Sequence, residues 1–112
     1  MSRAREAAQA YVDAVNAADL DGLLDLFAKD AVLRHPSGVY EGVDALAGFY
    51  GDIVFPAKAC LTVTRLLADG PLAMFELSAT SPLAEPGASR DVLDSLTVDD
   101  DGRIVSLDVY YR

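Results

Sequence analysis

The spacing of apolar residues changes once along this chain, near residue 58, from a helical to an extended pattern. Before that point apolar residues recur every three or four positions, which is the period of an amphipathic helix. This period predicts three helices: residues 3–17, a short one whose stripe runs from Leu20 to Phe27, and one that begins at Gly42 or Asp44 and ends at Phe55-Pro56. Asp19 is a typical N-cap residue for the short helix.

After residue 58 apolar and polar residues alternate, which is typical of half-buried strands. The pattern predicts long strands over residues 59–68, 72–80, 89–99 and 103–111, and short ones over 31–35 and 39–41. Asp-Gly pairs between long strands favour hairpins. Because helices precede a run of sequential strands, we expect an α+β fold. Its cone-shaped, curved antiparallel sheet would wrap around the three N-terminal helices and leave a cavity for a small molecule.

Composition narrows the class of protein. With 112 residues, 52% of them apolar, the chain is expected to form one domain over residues 1–112 with a real core. The formal net charge of −9 argues against nucleic acid and anionic membrane surfaces as partners. No run of about 18 apolar residues and no apolar signal sequence occurs, so a cytoplasmic protein is expected. The one cysteine, Cys60, excludes an intrachain disulfide and is expected in the core.

Asp94 is the most informative polar residue, because strand alternation places it in the middle of an apolar row. The residues expected on its face are Val92, Leu96 and Val98. A carboxylate in such a row is costly unless it is paired or protonated, and burial raises its pKa. Asp94 is therefore either half of a buried salt bridge, with Arg90 or Arg103, or a neutral acid that can donate a hydrogen bond to an enolate oxygen.

Three further residues are candidates to share a site with Asp94. Tyr11 lies on the apolar face of the first helix, where its hydroxyl needs a ligand or a backbone carbonyl as partner. His35, the one histidine, ends a strand at the mouth of the expected cone and is either a base or a structural residue. Tyr50 follows the apolar stripe of the third helix, where simple packing is the alternative to a place in the site. Asp108 is a second candidate carboxylate. The other tyrosines are expected at packing or surface positions: Tyr40, Tyr110 and Tyr111.

Short segments along nearly the whole chain carry a family resemblance: Tyr11-Val12 to Asn16-Ala17, Asp19-Leu20-Asp21-Gly22, Leu26-Phe27-Ala28, Asp30-Ala31, Pro36 with Gly38, Phe49-Tyr50, Asp94, and Gly102-Arg103-Ile104-Val105-Ser106. On these segments the chain resembles the nuclear transport factor two-like (SnoaL-like) superfamily, and the bacterial ketosteroid isomerases in particular. It departs from them at one position. Those isomerases carry an aspartate base just before the proline that is Pro36 here, whereas this chain carries His35.

The resemblance implies a steroid delta-isomerase-type enzyme, which moves a double bond into conjugation with a ketone. Tyr11 and a protonated Asp94 would hold the dienolate oxygen. Tyr50 would support Tyr11, and His35 would stand in the place of the usual base. The implied ligand is an apolar small-molecule ketone such as a steroid, and no cofactor or metal is expected.

Relatives within the superfamily leave two alternatives open. One is a polyketide cyclase- or epoxide hydrolase-like enzyme that uses Asp94 as its acid/base, with His35 assisting. The other is a non-catalytic module for small-ligand binding or dimerisation. The open face of so small a sheet also suggests a homodimer, with Val109 and Tyr111 among the expected contact residues.

Overall fold

The computed structural model describes residues 3–111, and its elements follow the expected order. The helices are α1 (Arg3–Ala17), α2 (Leu20–Leu24) and α3 (Val43–Phe49), which continues into a π-helical turn (Tyr50–Val54). The strands are β1 (Phe27–His35), β2 (Gly38–Glu41), β3 (Cys60–Asp69), β4 (Leu72–Thr80), β5 (Arg90–Val98) and β6 (Ile104–Tyr111). Among the described residues, no helix is long and apolar enough to cross a membrane.

The six strands form one sheet in the order β2-β1-β6-β5-β4-β3. Neighbouring strands are antiparallel except β1 and β6, which are parallel. β6 therefore lies inside the sheet and joins the β1–β2 hairpin to the β3–β4–β5 meander. The sheet is curved and does not close, and the helices lie on its concave face, which confirms the expected α+β fold.

Helix α1 packs on β3, β4 and β5 and contributes a buried stripe to the core. The residues of this stripe are Ala4, Ala7, Ala8, Tyr11, Val12 and Val15. The helix ends at Ala17 and is followed by Ala18, whose φ of 52° is the left-handed conformation common just after a helix. The Asn16 amide donates to the Leu61 carbonyl (2.9 Å) and accepts from the Leu61 N–H (2.7 Å). These bonds attach α1 to the edge strand β3.

The second helix is shorter than its apolar stripe predicted. Asp19 caps it as expected, since its Oδ1 accepts a hydrogen bond from the Gly22 N–H at 3.0 Å. The helix ends at Leu24, however, and Phe27 opens β1. Phe27 pairs with Ile104 of β6 and is buried in the core. Pairing with a strand distant in sequence has therefore overridden the local helical pattern.

Cys60 was expected in the core and is exposed. It is the first residue of β3, an edge strand in which exposed and half-buried residues alternate. The alternation turns Cys60 outward and its neighbour Leu61 inward. An apolar run alone does not distinguish these two positions.

Candidate active site

Two tyrosine hydroxyls meet in the core beside the π-helical turn. Tyr11 Oη and Tyr50 Oη lie 2.8 Å apart, within hydrogen-bond distance, and both side chains are buried. Tyr11 comes from the stripe of α1, and Tyr50 is the first residue of the π-helical turn. Each hydroxyl carries one hydrogen. Because one hydroxyl donates to the other, the accepting hydroxyl keeps its own hydrogen free for a ligand oxygen.

Aromatic rings hold Tyr11 in place on three sides. The rings of Phe27 and Phe75 contact it edge-on, each with a centroid separation of 6.4 Å, and the ring of Tyr50 does so at 6.1 Å. Burial raises the pKa of Tyr11 well above its ordinary value, and the nearby Tyr50 and Asp94 raise it further. Tyr11 is therefore a neutral phenol at physiological pH and can act only as a hydrogen-bond donor to an anionic ligand.

Asp94 lies at the centre of β5 and points into the core, with 2% of its surface exposed. Among residues 3–111 its Oδ1 has no hydrogen-bond partner, and neither Arg90 nor Arg103 forms a salt bridge with it. Burial raises the pKa of Asp94 from 3.8 to about 7. Of the two alternatives left open by the sequence, the buried salt bridge is therefore absent from the described part of the chain.

His35 ends β1 and contacts a short polar chain. Its Nδ1 accepts a hydrogen bond from the Ser37 N–H (3.0 Å) and lies 2.8 Å from Ser37 Oγ. Its Nε2 lies 2.6 Å from the Tyr111 hydroxyl, and Ser37 Oγ lies 2.9 Å from the Tyr40 hydroxyl. Burial lowers the pKa of His35 below 6.5. The ring is therefore neutral at physiological pH.

These hydrogen bonds assign the tautomer of His35. A backbone N–H can only donate, so Nδ1 must present its lone pair to Ser37. The neutral ring then carries its proton on Nε2, and that N–H donates to Tyr111 Oη. In this arrangement the Tyr111 hydroxyl keeps its own hydrogen and remains a donor.

A cavity of about 130 Å³ lies between α1, the π-helical turn and the concave face of the sheet. All four residues selected from the sequence line it: Tyr11, His35, Tyr50 and Asp94. The rest of its lining is mostly apolar, from residues such as Phe49, Leu77 and Val92. The structure thus brings the four residues to one space, while their catalytic roles stay predictions. Within residues 3–111, no group of three or more His, Cys, Asp or Glu side chains could hold a metal ion.

Several larger concavities lie outside this cavity and lack Tyr11 and Asp94, and two of them border the last strands. The β4–β6 groove has a volume of about 570 Å³ and is lined by residues that include Glu76, Leu93 and Tyr110. The β1–β6 groove has a volume of about 490 Å³ and is lined by residues that include Arg34 and Asp108. We identify the smaller cavity as the candidate site because it alone of the three holds the buried titratable groups.

The sequence interpretation missed the places of Tyr111 and Val109 in the cavity and misassigned Asp108. Tyr111 and Val109 line the cavity, and Tyr111, with 43% of its surface exposed, also lines both outer grooves. Asp108 points to the opposite face, where its Oδ1 accepts a hydrogen bond from Arg34 at 3.1 Å. The cause is an irregularity in β6: Thr97 pairs with Ser106 and Val98 with Ile104, so one extra residue shifts the alternation.

The sequence matches a family model described as a SnoaL-like domain over residues 8–107. Among curated proteins no sequence matches the chain. Solved structures give many matches, and the names of some of them bear on chemistry.

A candidate polyketide cyclase from Sinorhizobium meliloti is 26% identical, with a TM-score of 0.83 over 94% of both chains. A candidate ketosteroid isomerase from Kribbella flavida is 26% identical, with a TM-score of 0.85 over 98% of this chain and 78% of its own. The epoxide hydrolase/cyclase-like enzyme SalBIII, from pyran ring formation in the polyether salinomycin, is 25% identical, with a TM-score of 0.83 over 96% and 89%. The chain belongs to the SnoaL-like domain family, whose fold it shares with proteins named as isomerases and cyclases.

Proposed function

We propose that this protein is an isomerase of the steroid delta-isomerase type, which moves a carbon–carbon double bond into conjugation with a ketone. The observation that carries the proposal is the buried Oδ1 of Asp94, which has no hydrogen-bond partner within residues 3–111 and lies in the same apolar cavity as the Tyr11–Tyr50 hydroxyl pair. A buried polar atom without a partner is costly. A ligand oxygen that accepts hydrogen bonds from Tyr11 and protonated Asp94 would remove that cost.

The proposed reaction moves one proton and consumes no cofactor. A base removes a proton from the carbon between the carbonyl and the double bond, and the electron pair of that C–H bond moves onto the carbonyl oxygen through a dienolate. Tyr11 and protonated Asp94 donate to this oxygen, and Tyr50 donates to Tyr11. The base then protonates the γ carbon and the electrons return from oxygen, which leaves the conjugated ketone. One preorganised donor to an oxyanion is typically worth about 10²–10³ in rate.

His35 is proposed as the base because it lines the cavity and stands where the isomerases carry an aspartate. Its lowered pKa keeps the ring neutral and able to accept a proton. To accept at Nε2, the neutral ring must hold its proton on Nδ1, from which it can donate to Ser37 Oγ at 2.8 Å. The Ser37 N–H then loses its acceptor. The hydrogen bond from the Ser37 N–H to Nδ1 therefore opposes the tautomer in which Nε2 can accept a proton.

The cavity volume favours a ketone smaller than a steroid. Pockets for drug-sized ligands typically measure about 300–1,000 Å³, whereas this cavity measures about 130 Å³. An apolar cavity of about 150 Å³ can hold benzene. The substrate that fits best is thus a ketone with a single six-membered ring, such as 3-cyclohexen-1-one.

A second candidate function uses Asp94 as the general acid/base of a polyketide cyclase- or epoxide hydrolase-like reaction. With its pKa near 7, both forms of this carboxyl are populated around neutral pH, which is what proton transfer requires. Two of the similar structures carry names of that chemistry. In this mechanism Asp94 acts ionised as a base, and no change of the His35 tautomer is needed.

The first test is an ultraviolet assay for conversion of 3-cyclohexen-1-one to its conjugated isomer. We expect turnover in the wild type and strong losses in Tyr11→Phe, His35→Ala and Asp94→Asn. If protonated Asp94 is the donor, activity declines above about pH 7; if ionised Asp94 is the base, it declines below about pH 7. Full activity in both Tyr11→Phe and Asp94→Asn would refute the oxyanion site. Binding of phenol without any turnover would indicate the non-catalytic module.

A homodimer and a cytoplasmic location remain part of the proposal. Beside Val109 and Tyr111, the contact would use apolar side chains that are exposed on the outer face of the sheet. These side chains are Leu67, Met74, Leu93 and Tyr110. Cross-strand pairs place Leu67 beside Met74 and Leu93 beside Tyr110 on one face.

A further inference from the structure

Tyr111 separates the cavity from both outer grooves. Among the described residues it is the one that lines all three spaces: the cavity, the β4–β6 groove and the β1–β6 groove. Its partner across the sheet is Val92, the first buried residue of β5. The phenol ring of Tyr111 is therefore a partition and not a part of the core.

Two contacts hold the Tyr111 ring in this position. The Tyr111 hydroxyl lies 2.6 Å from His35 Nε2, which connects it to β1. On the other side the Arg90 guanidinium carbon lies 4.5 Å from the centroid of the Tyr111 ring, a cation–π contact. The His35 ring also contacts the ring of Phe49 at a tilt of 56°, with ring centroids 5.0 Å apart. The ring thus bridges β1 and β5 across the mouth of the cavity.

We propose that Tyr111 is the specificity-determining residue of this site and that its ring restricts ligands to about one six-membered ring. The proposal rests on the proposed function only in taking this cavity as the ligand site. With the ring in place the cavity measures about 130 Å³. Without it the cavity would open into neighbouring grooves of about 490 and 570 Å³. A ligand with two fused rings would then fit with its second ring in the space that Tyr111 now fills.

Benzene and naphthalene test this size limit, because neither carries an oxygen and both report the cavity volume alone. Binding is measured by titration of backbone amide NMR signals of cavity residues. We expect the wild type to bind benzene and to exclude naphthalene, and Tyr111→Ala to bind naphthalene at least about tenfold more tightly than the wild type. Tyr111→Phe is the matched control, since it keeps the ring and removes only the hydroxyl. It should exclude naphthalene like the wild type.

Equal binding of naphthalene by the wild type and Tyr111→Ala would overturn the proposal. So would exclusion of naphthalene by Tyr111→Ala, because another wall would then set the limit, and so would a cavity that takes neither probe in any variant. Tyr111→Leu carries the same expectation as Tyr111→Ala and serves where alanine leaves the protein unfolded. Phenol separates this result from the proposed function: if it binds the wild type no better than benzene does, the oxyanion site fails while the size limit stands.

Discussion

Asp94→Asn should change how the stability of this protein depends on pH. The folded chain holds the Asp94 carboxyl in an apolar environment, so its pKa is about 7, whereas the ordinary value is 3.8. Between these two values the folded state binds the proton more tightly than the unfolded state does. The stability that comes from the protonated carboxyl is therefore full below about pH 4 and is lost as the pH rises through about 7. Asparagine keeps the shape of the side chain and cannot ionise.

The size of this effect follows from the linkage between proton binding and folding. Each unit by which a pKa differs between folded and unfolded chain is worth about 1.4 kcal/mol. With the pKa of Asp94 raised from 3.8 to about 7, the protein thus loses about 4 kcal/mol of stability in total as the pH rises. Roughly 2.5 kcal/mol of this loss occurs between pH 5 and pH 8. That is a large part of the roughly 5–15 kcal/mol by which small domains are stable.

Urea unfolding at pH 5, 6, 7 and 8 measures this directly. The quantity to follow is the free energy of unfolding of the wild type minus that of Asp94→Asn, because His35 and all surface groups titrate in both proteins and cancel. This difference should fall by roughly 2.5 kcal/mol from pH 5 to pH 8. The urea dependence of the two proteins should be alike.

Asp108→Asn is the matched control for this series. It removes a carboxylate from the neighbouring strand, but one that faces outward and pairs with Arg34 at a partly exposed site. Surface pairs of this kind contribute about 0–1 kcal/mol. We expect the free energy of unfolding of Asp108→Asn to change with pH in the same way as that of the wild type. A wild-type minus Asp94→Asn difference that stays constant from pH 5 to pH 8 would refute the view that burial raises the pKa of Asp94.

Three further outcomes are expected. Tyr11→Phe should lower kcat for 3-cyclohexen-1-one by about 10²–10³, the typical effect of one oxyanion donor. Tyr50→Phe should lower kcat less, because Tyr50 acts through Tyr11. Equal losses of the two variants in steady-state assays would contradict that order. With His35 as base, kcat should fall on the acid side at a pH lower than 6.5, because burial lowers the pKa of His35 from that ordinary value. It should also fall above about pH 7, and Asp94→Asn should abolish only this alkaline decline. Sedimentation should show a dimer at micromolar concentration, and a monomer throughout would contradict it.

The fold was predictable from sequence because periodicity and turn residues agree along most of the chain. The strand β4 was predicted with its observed bounds, and α1 likewise. The inward position of Asp94 followed from strict alternation in β5, where no irregularity disturbs the count. These are local patterns, and local patterns can be read without knowing which elements pair.

The features that were missed depend on pairing between distant residues. Phe27 continued a helical stripe and became a strand residue because Ile104 pairs with it. Asp108 was expected to face inward and Tyr111 outward, and the structure has the reverse because one extra residue in β6 shifts the alternation. The hydrogen bond from the Ser37 N–H to His35 Nδ1 joins residues two positions apart in a turn. Its effect on the His35 tautomer could be inferred only once the position of the imidazole ring was known. Alternation in β6 could have identified Tyr111 as a cavity residue only if the position of the extra residue had been known.

The place of β6 in the sheet also bears on how the protein is made. β6 follows the other five strands in the sequence but lies between β1 and β5. During synthesis the β1–β2 hairpin and the β3–β4–β5 meander therefore stay unpaired with each other until β6 is made. Each then has an unpaired strand edge that can pair with another chain. Pairings so distant along the chain form slowly. The nascent protein should consequently depend on chaperones until β6 leaves the ribosome, at which point sheet and cavity are completed together.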